Sequence, residues 1–477
     1  MTRPAADLGL AAASAFFLAL TGCATIGPDY RPPEENLAPF HNAQKVEARP
    51  AQGPAAPLDR WWTAFNDPAL TRIEERVFVQ NLELQAAKER VIQARAGARA
   101  AGAKLLPHVD ATGQAVSERA SLEDPVAAIA SAFPGFERDV QLYNVGLGAS
   151  WEMDLFGGDR RAVEASRAEA GAAEAAQVGV RVAVAADAGD AYLQIRGAQA
   201  RLGVASEQVA NAEGLLELVR LQRSSGMATD REVAQAEALV AHSRGTIPLL
   251  RIALEAQLNR LDVLMGAQPG TYAAELASPG DVPAVPHASA GTPDLLRRRP
   301  DVMVAERRLA AANARIGAAL GEYYPKLSLS GLLGFEALHP QDLFHANTFQ
   351  PLAALGVRWR LFDFGRVDAE VENARAATRE ALLRYRQTML RAAEDVENAS
   401  VTLVQLEDHA GHLANQIAAL TQSRDQSQEA YQAGLIALTD VLESTRQLLV
   451  AEDDLARTRA DTARAAVSLY RALGGGW

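Results

Sequence analysis

The chain has little cysteine, few aromatic residues and no excess of positive charge, and each shortage excludes something. Its 477 residues contain one cysteine, Cys23, so no disulfide can form within the chain. The formal net charge at pH 7 is −12, which argues against a nucleic-acid partner because phosphate binding requires a basic surface. Aromatic residues make up 6% of the chain, so a large conventional core is not expected.

Long apolar runs are also missing after the N-terminus. No later segment has the about 18 uninterrupted apolar residues of a membrane helix, so a mature chain that spans a membrane does so with strands. No phosphate-binding loop or Gly-x-Ser-x-Gly motif is found. His409 and His412 share a helix face, but two ligands are too few for a metal site. We therefore expect no enzymatic activity, no metal and no cofactor apart from a covalent lipid.

The N-terminus resembles a bacterial lipoprotein signal peptide. Its apolar run, Leu8 to Leu20, is too short to span a bilayer as a helix, and it leads through Thr21 and Gly22 to Cys23. The resemblance implies that Cys23 becomes the first mature residue and receives an S-diacylglycerol group and an N-acyl chain. A secretory signal with a chance cysteine, or a buried thiol, are the alternatives.

The residue after the cysteine is Ala24, not aspartate. By resemblance to the lipoprotein sorting rule, this favours the outer membrane over retention in the inner membrane. One acyl chain alone holds a membrane weakly, so we expect a second anchor if the attachment is stable.

The rest of the chain repeats one plan twice. Three pairs of landmarks mark the two copies: Pro107 and Pro325, Trp151 and Trp359, and Gly226 and Gly434. The numbering offset is 218 for the first pair and 208 for the other two. Each copy has a helix, a strand pair, a very long helix, a turn and a further helix. Two copies of one incomplete unit predict a tube assembled by repetition, not a pocket enclosed by one domain.

The predicted domain boundaries follow this duplication. They are a signal peptide at 1–22, an extended tether at 23–66, a first repeat at 67–265, a linker at 266–292, a second repeat at 293–473 and a tail at 474–477. Proline at high density keeps the tether extended. Trp61, Trp62 and Phe65 are predicted to dock it onto the body.

Helix boundaries come from capping and breaking residues. A first helix is predicted from about Pro68 to Lys104, with Asp67 as its N-cap. The second copy opens with the basic cluster Arg297–Asp301, which we interpret as a solvated helix start rather than a site for an acidic ligand.

Two segments in each copy alternate with period two. Strands are predicted at about 107–118, 141–154, 326–337 and 350–362. Their odd positions are mainly apolar, and their even positions are mainly polar or glycine. This alternation is typical of strands that cross a bilayer in a barrel, although a half-buried soluble sheet shows it too. Segments 119–140 and 338–350 then become loops beyond the membrane.

Strand count and bilayer physics together require several copies of the chain. Open sheet edges do not occur in lipid because unpaired backbone groups there cost several kcal/mol each. The smallest useful barrel has about eight strands, and each chain has four. The chain must therefore oligomerise if the strands cross a membrane; a dimer or a trimer would satisfy this argument.

Between and after the strand pairs the helical period returns. Helices from about Asp159 to Arg223 and from about Arg366 to Tyr431 would each be roughly 100 Å long at 1.5 Å per residue. From Val367, in the second of these helices, small and apolar residues repeat with coiled-coil spacing. The chain then reverses at Gly226 and Gly434, because glycine tolerates the left-handed conformation, and shorter helices return. The fold class is therefore mainly α, with long antiparallel coiled-coil helices and a transmembrane β-barrel part.

Short motifs in order along the mature chain resemble those of the TolC-type outer-membrane efflux factors, in the NodT-like lipoprotein branch. They are Cys23 with Gly27–Tyr30, Trp61-Trp62 with Asp67-Pro68, Asn81-Leu82 with Arg90, Arg299–Val302 with Ala305-Glu306, Pro325–Leu329, Phe362–Gly365, and Gly434 with Asp440–Leu442. The resemblance implies a homotrimer in which a twelve-stranded outer-membrane barrel continues into a twelve-helix α-barrel in the periplasm. It also implies docking to a periplasmic adaptor and an inner-membrane efflux pump.

The resemblance further implies a periplasmic gate at the helical turns. In the family, acidic side chains ring the closed mouth, and here Asp440 and Glu443 match them. Tyr431 matches a tyrosine that helps to hold neighbouring helices together, and Glu232 has the place of Asp440 in the first copy. Ile436 stands where part of the family has an arginine. The alternative is that these acids simply favour the start of a helix.

The predicted function is an outer-membrane channel that passively conducts small molecules from an adaptor and pump to the exterior. The mature protein is expected in the outer membrane, lipid-anchored, with a periplasmic extension. A duct for type I protein secretion has the same architecture. A periplasmic coiled-coil adaptor or scaffold lipoprotein is the alternative from another class.

Overall fold

The computed structural model describes residues 25–33, 38–49, 57–287 and 291–477. Cys23 and the predicted signal peptide lie outside these residues. The predictions of a mainly helical chain and of four strands are confirmed. Among the described residues, no helix is both long and apolar enough to cross a membrane.

The elements follow one another along the chain, with short 3₁₀ turns between some of them. They are α1 (Ala43–Glu47), α2 (Pro68–Gln80), α3 (Leu82–Ala103), β1 (His108–Arg119), α4 (Pro125–Ala130), β2 (Asp139–Met153), α5 (Gly158–Ser224), α6 (Asp230–Leu264), α7 (Pro300–Gly321), β3 (Lys326–Ala337), β4 (Phe349–Arg358), α8 (Arg366–Gln432) and α9 (Leu438–Ala472). Both α5 and α8 have 67 residues, and both α6 and α9 have 35.

These elements form two compact units. The first comprises residues 25–33, Ile92–Ala172 and Glu306–Arg384, and it contains the sheet. The second comprises Glu34–Val91, Ala173–Ala305 and Tyr385–Trp477. Each unit therefore takes segments from both halves of the sequence.

The four strands form one antiparallel sheet in the order β1-β2-β3-β4. Residues at odd positions pair with residues at odd positions throughout, as in Val109 opposite Ala149 and Trp151 opposite Leu329. Because opposite residues in a sheet point to the same face, the apolar odd positions of all four strands share one face. The even positions, with their polar residues and glycines, share the other. In the single chain, β1 and β4 are edge strands.

The last strand is shorter than expected. β4 ends at Arg358, four residues before its predicted end at 362. Among the described strands β4 pairs with β3 alone, and β3 begins at Lys326, which lies opposite Arg358. The pairing therefore stops at Arg358.

The first helix also differs from the prediction. The chain leaves the helical conformation at Asn81 (ψ 122°), so α2 and α3 replace the single helix predicted from Pro68 to Lys104. The Asn81 side chain accepts a hydrogen bond from the Leu84 N–H at 2.9 Å and donates one to the Leu264 carbonyl at 2.8 Å. Asparagine is a preferred N-cap, and its local bonds compete with a continuous helix.

The predicted N-cap of the first helix is confirmed. The Asp67 carboxylate accepts the N–H groups of Ala69 and Leu70 at 2.8 and 3.3 Å, and it caps α2. Trp61 is 1% exposed, and its ring stacks on that of Tyr470 with 5.8 Å between centroids. The Trp61 ring, near the end of the predicted tether, therefore packs into the second unit.

The basic cluster at the start of the second copy is not wholly solvated, which corrects the prediction. Arg299 is only 8% exposed. Its guanidinium donates to the carboxylates of Asp301 and Asp395, each at 2.8 Å, and to the carbonyls of Ala392 and Ala472 at 3.3 and 2.8 Å. A buried charge requires such partners, and here they join α7 to α8 and to the end of α9.

One carboxyl group in the second unit is buried without a hydrogen-bond partner among the described residues. Glu74 of α2 is 0% exposed, and neither carboxyl oxygen has a hydrogen-bond partner among the described residues. Burial raises its pKa well above the usual range, because desolvation disfavours the charged form. The folded chain therefore holds a proton here that the unfolded chain releases near its ordinary pKa.

We predict that Glu74→Gln stabilises the folded protein at neutral pH by about 1–3 kcal/mol. A raised carboxyl pKa leaves folding unaffected below the ordinary pKa and costs stability as the pH rises above it. The gain should therefore vanish near pH 4 and grow toward pH 8 in thermal denaturation followed by circular dichroism. Glu75→Gln, at the exposed neighbouring position, is the matched control. An equal gain at both pH values would contradict the prediction.

Candidate functional site at the helical turns

The two turns that join the long helices to the returning helices have the same backbone geometry. Gly226, between α5 and α6, has φ +75°, and Gly434, between α8 and α9, has φ +74°. The residue after each glycine donates its N–H to the carbonyl oxygen five residues earlier, at 2.8 Å in the first turn and 2.9 Å in the second. This is the Schellman arrangement, which favours glycine in the left-handed position.

A small apolar core next to these turns holds together the adjoining ends of α5, α6, α8 and α9. Its buried members are Ala212, Leu215, Leu216, Val219, Ala228, Ala236, Val240, Tyr431, Leu438 and Val441. Tyr431 is 7% exposed, and its hydroxyl has no hydrogen-bond partner in the described part of the chain. Burial and, to a lesser degree, the negative charge of Glu232 raise its pKa. The Tyr431 ring thus packs between neighbouring helices, with the Glu232 carboxylate nearby.

Glu232 has a clear local role. Its carboxylate accepts the N–H and the hydroxyl of Thr229 at 2.7 and 2.8 Å, and its own N–H donates to the Thr229 hydroxyl at 3.3 Å. This reciprocal pair is a capping box, which satisfies two backbone donors at the start of α6.

Asp440 occupies the equivalent position in the second copy but does not share that role. The N-cap of α9 is Ala437, which forms no side-chain cap. Asp440 is exposed in the first turn of the helix, and no side-chain partner for it is found among the described residues. Its carboxylate is therefore available for an interaction outside the chain.

Glu443 lies one turn further along α9 and is balanced by its own helix. Its carboxylate accepts two hydrogen bonds from the Arg446 guanidinium, at 2.9 and 3.0 Å, and one from Gln447 at 2.9 Å. These bonds, that of Arg446 first, hold the pKa of Glu443 below its usual range. Arg446 was not anticipated from the sequence, although its i, i+3 spacing from Glu443 indicates such a pair.

An ion pair across the first turn was also not predicted from the sequence. Arg223 donates to the Asp230 carboxylate at 2.7 and 3.2 Å, and the pKa of Asp230 is lowered as a result. The equivalent positions in the second copy are Tyr431 and Leu438, which are both buried. The first turn is thus closed by a polar pair, and the second by apolar packing.

The N-terminal stretch after the predicted lipidation site lies in the first unit. Ile26 donates its N–H to the carbonyl of Phe156 at 3.1 Å, three residues after the end of β2. Arg161 of α5 donates to the Ile26 carbonyl at 3.0 Å and to the Asp29 carboxylate at 2.7 Å. Ile26, three residues after Cys23 in the sequence, therefore lies next to the segment that joins β2 to α5.

Comparison with known proteins gives one consistent result. The chain matches the family described as "Outer membrane efflux protein" over residues 75–267 and 292–475. It is 34% identical over 429 residues to the pyoverdine export outer membrane protein OpmQ of Pseudomonas aeruginosa, which covers 89% of this chain and 88% of that protein. It is 29% identical to nodulation protein T of Rhizobium leguminosarum bv. trifolii, over 97% and 96% of the two chains.

A solved structure is similar over almost the whole chain. The outer-membrane channel OprN superposes with a TM-score of 0.87 at 32% identity and covers 95% of this chain and 100% of its own.

We predict that the variants Glu232→Gln and Glu232→Ala show whether Glu232 acts as a helix cap or as part of the predicted gate. Glutamine can replace glutamate in a capping box, so Glu232→Gln should leave amide hydrogen exchange at the start of α6 within about twofold of the wild type. Glu232→Ala should raise that exchange about fivefold, since losing a cap costs about 1 kcal/mol. If removing the charge alone, in Glu232→Gln, changed single-channel conductance, Glu232 would belong to the gate instead.

Proposed function

Because the chain belongs to the outer membrane efflux protein family, we propose that three copies close a twelve-stranded barrel in the outer membrane and a twelve-helix barrel in the periplasm. The protein is an outer-membrane efflux channel, the exit duct of a tripartite efflux system. It conducts small molecules passively from a periplasmic adaptor and an inner-membrane pump to the exterior.

The observation that supports this proposal most directly is the four-stranded sheet with one apolar face and two free edges. In lipid each free edge requires a partner strand. The four strands alternate in direction, so β4 of one copy is antiparallel to β1 of the next, and the antiparallel order continues around the ring. Three copies supply twelve strands, an even number, as bacterial outer-membrane barrels have.

We also propose that the chain arose by internal duplication. Equivalent tryptophans support this, because Trp151 and Trp359 each donate their indole N–H at 3.0 Å, to the carbonyls of Leu105 and Tyr323. These acceptors occupy equivalent places in the two copies. The matching turns at Gly226 and Gly434 support it as well.

Cys23 is proposed to bear S-diacylglycerol and N-acyl chains in the periplasmic leaflet of the outer membrane. The bond between Ile26 and Phe156 supports this, because it holds the chain beside the end of β2, where the strands enter the bilayer. The barrel itself is the second anchor that stable attachment requires.

The gate of the channel is proposed to centre on Asp440. Around a threefold axis, three unpaired carboxylates repel one another and bind cations, and opening relieves that repulsion. Glu443 contributes less because Arg446 balances its charge. Tyr431 positions the helix ends that present Asp440, and Glu232 acts as a cap rather than in the gate.

The turns themselves are proposed to meet the periplasmic adaptor. Met227 and Leu435, the residues after the two turn glycines, are 74% and 77% exposed. Exposed apolar side chains at a turn are a common feature of protein-binding surfaces. The cargo is proposed to be a small molecule, and the relative OpmQ is named for the export of pyoverdine.

The proposal is tested on the purified mature protein. We expect extraction only with detergent, a trimer that migrates differently on gels before and after heating, and discrete conductance steps in planar bilayers. A monomer that stays soluble without detergent would overturn both the barrel and the export role.

We predict that the double variant Asp440→Ala, Glu443→Ala raises single-channel conductance at least about twofold, since it removes the carboxylates that narrow the mouth and bind cations. Asp440→Ala alone should account for most of the increase. Glu232→Gln, at the position equivalent to Asp440 in the first copy, is the matched control and should conduct as the wild type does. Unchanged conductance of the double variant would remove both residues from the gate.

A further inference from the structure

The two copies have strand registers that coincide when their numbering offsets are applied. In the first copy His108 of β1 lies opposite Ser150 of β2. Adding 218 to the first number and 208 to the second gives Lys326 and Arg358, which are opposite each other in β3 and β4. The bounds agree too, because the offset of the first strand carries β1 onto the whole of β3, from Lys326 to Ala337.

The same offsets relate the pair β2 and β3 to a pair that the single chain does not contain. β2 corresponds to β4, and β3 corresponds to β1. The pair β2–β3 is therefore equivalent to a pair β4–β1. Because β1 and β4 are opposite edges of the sheet in one chain, the β1 of such a pair must come from a second copy.

We propose that β4 of one subunit pairs with β1 of the next in the register already seen between β2 and β3. Trp151 lies opposite Leu329, so Trp359 lies opposite Ala111 of the neighbouring subunit. This inference rests on the proposed trimeric barrel and specifies its seam. A shift by one residue is excluded because it would turn the apolar positions of one strand toward the polar face. Shifts by two residues are the alternatives.

This register forms an ion pair between subunits on the polar face. Glu152 lies opposite Ser328, and the equivalents of these residues are Arg360 and Asp110. Arg360 therefore lies directly opposite Asp110 of the next subunit, and Arg358 lies diagonally from it. Within one chain Arg358 already contacts the Glu152 carboxylate at 3.4 Å, and Arg360 contacts that of Glu322 at 3.1 Å. The Asp110 side chain is 49% exposed, so in this register it adds a carboxylate from the next subunit to this polar cluster.

Pairing at the seam also explains the short last strand. β2 extends to Met153, whose equivalent is Leu361. The backbone of residues 359–361, which β3 does not reach, pairs with residues 109–111 of the neighbouring subunit. β4 then ends at Leu361, close to the end that the sequence predicts.

The seam is tested by cysteine cross-linking in the full-length, membrane-inserted protein. Two double variants place cysteines at positions that face each other across the seam. They are Ala115→Cys with Leu355→Cys and Val116→Cys with Ala354→Cys. Opposite Cα atoms in antiparallel strands are about 4.5 or 5.5 Å apart, within the range of a disulfide. Controls shifted by two residues combine Ala115→Cys with Ala353→Cys or with Val357→Cys. The single-cysteine variants show any contribution from Cys23.

After mild oxidation and heating in detergent without reductant, the two opposite pairs should give covalent dimers and trimers. The shifted pairs should give at least about tenfold less, because diagonal neighbours lie about 7–8 Å apart. Efficient cross-linking of a shifted pair, or none at all in a heat-sensitive trimer, would overturn the register while the proposed function stands. A monomeric protein would overturn the proposed function as well.

The ion pair is tested separately by heat dissociation of the oligomer on gels. Asp110→Asn should lower the dissociation temperature by several degrees, since three copies of the pair are lost. Glu118→Gln is the matched control, because Glu118 lies on the same strand and face but opposite Leu352 in this register. Equal effects of the two variants would contradict the ion pair.

Discussion

A strand edge that lies in lipid needs a hydrogen-bonding partner, and the architecture of this chain is best understood from that requirement. A single chain provides four strands whose apolar positions share one face, and it leaves β1 and β4 as edges. No rearrangement within the chain can satisfy both edges with so few strands. In the proposed barrel, association with further copies is therefore part of the fold, and the proposed pore is formed by the assembled copies together.

Sequence periodicity was sufficient to predict the strands because each strand has one mainly apolar face and one mainly polar face. The period-two pattern predicted four strands and which positions share a face, and the registers agree with it. It could not predict the break at Asn81 or the burial of Arg299, because both depend on partners distant in sequence. Asn81 bonds to Leu264, and Arg299 bonds to Asp395 and Ala472.

At the candidate site the sequence identified the acidic residues but not their different roles. Glu232 and Asp440 are equivalent by position, and resemblance assigns a gate to that position. Their difference arises one turn earlier, where Thr229 provides a capping hydroxyl and Ala437 does not. A residue's availability depends on whether its neighbours already occupy its hydrogen-bonding capacity, and this requires coordinates.

The unequal ends of the two hairpins have a mechanical consequence for a threefold assembly. The hairpin with Gly226 is fixed by a capping box and by the Arg223–Asp230 ion pair, whereas the hairpin with Gly434 depends on side-chain packing around Tyr431. In the proposed trimer, three hairpins held by polar contacts then alternate around the axis with three held mainly by apolar packing. Because apolar packing is non-directional, we infer that widening of the proposed mouth displaces the second set more readily and leaves the first set as its frame.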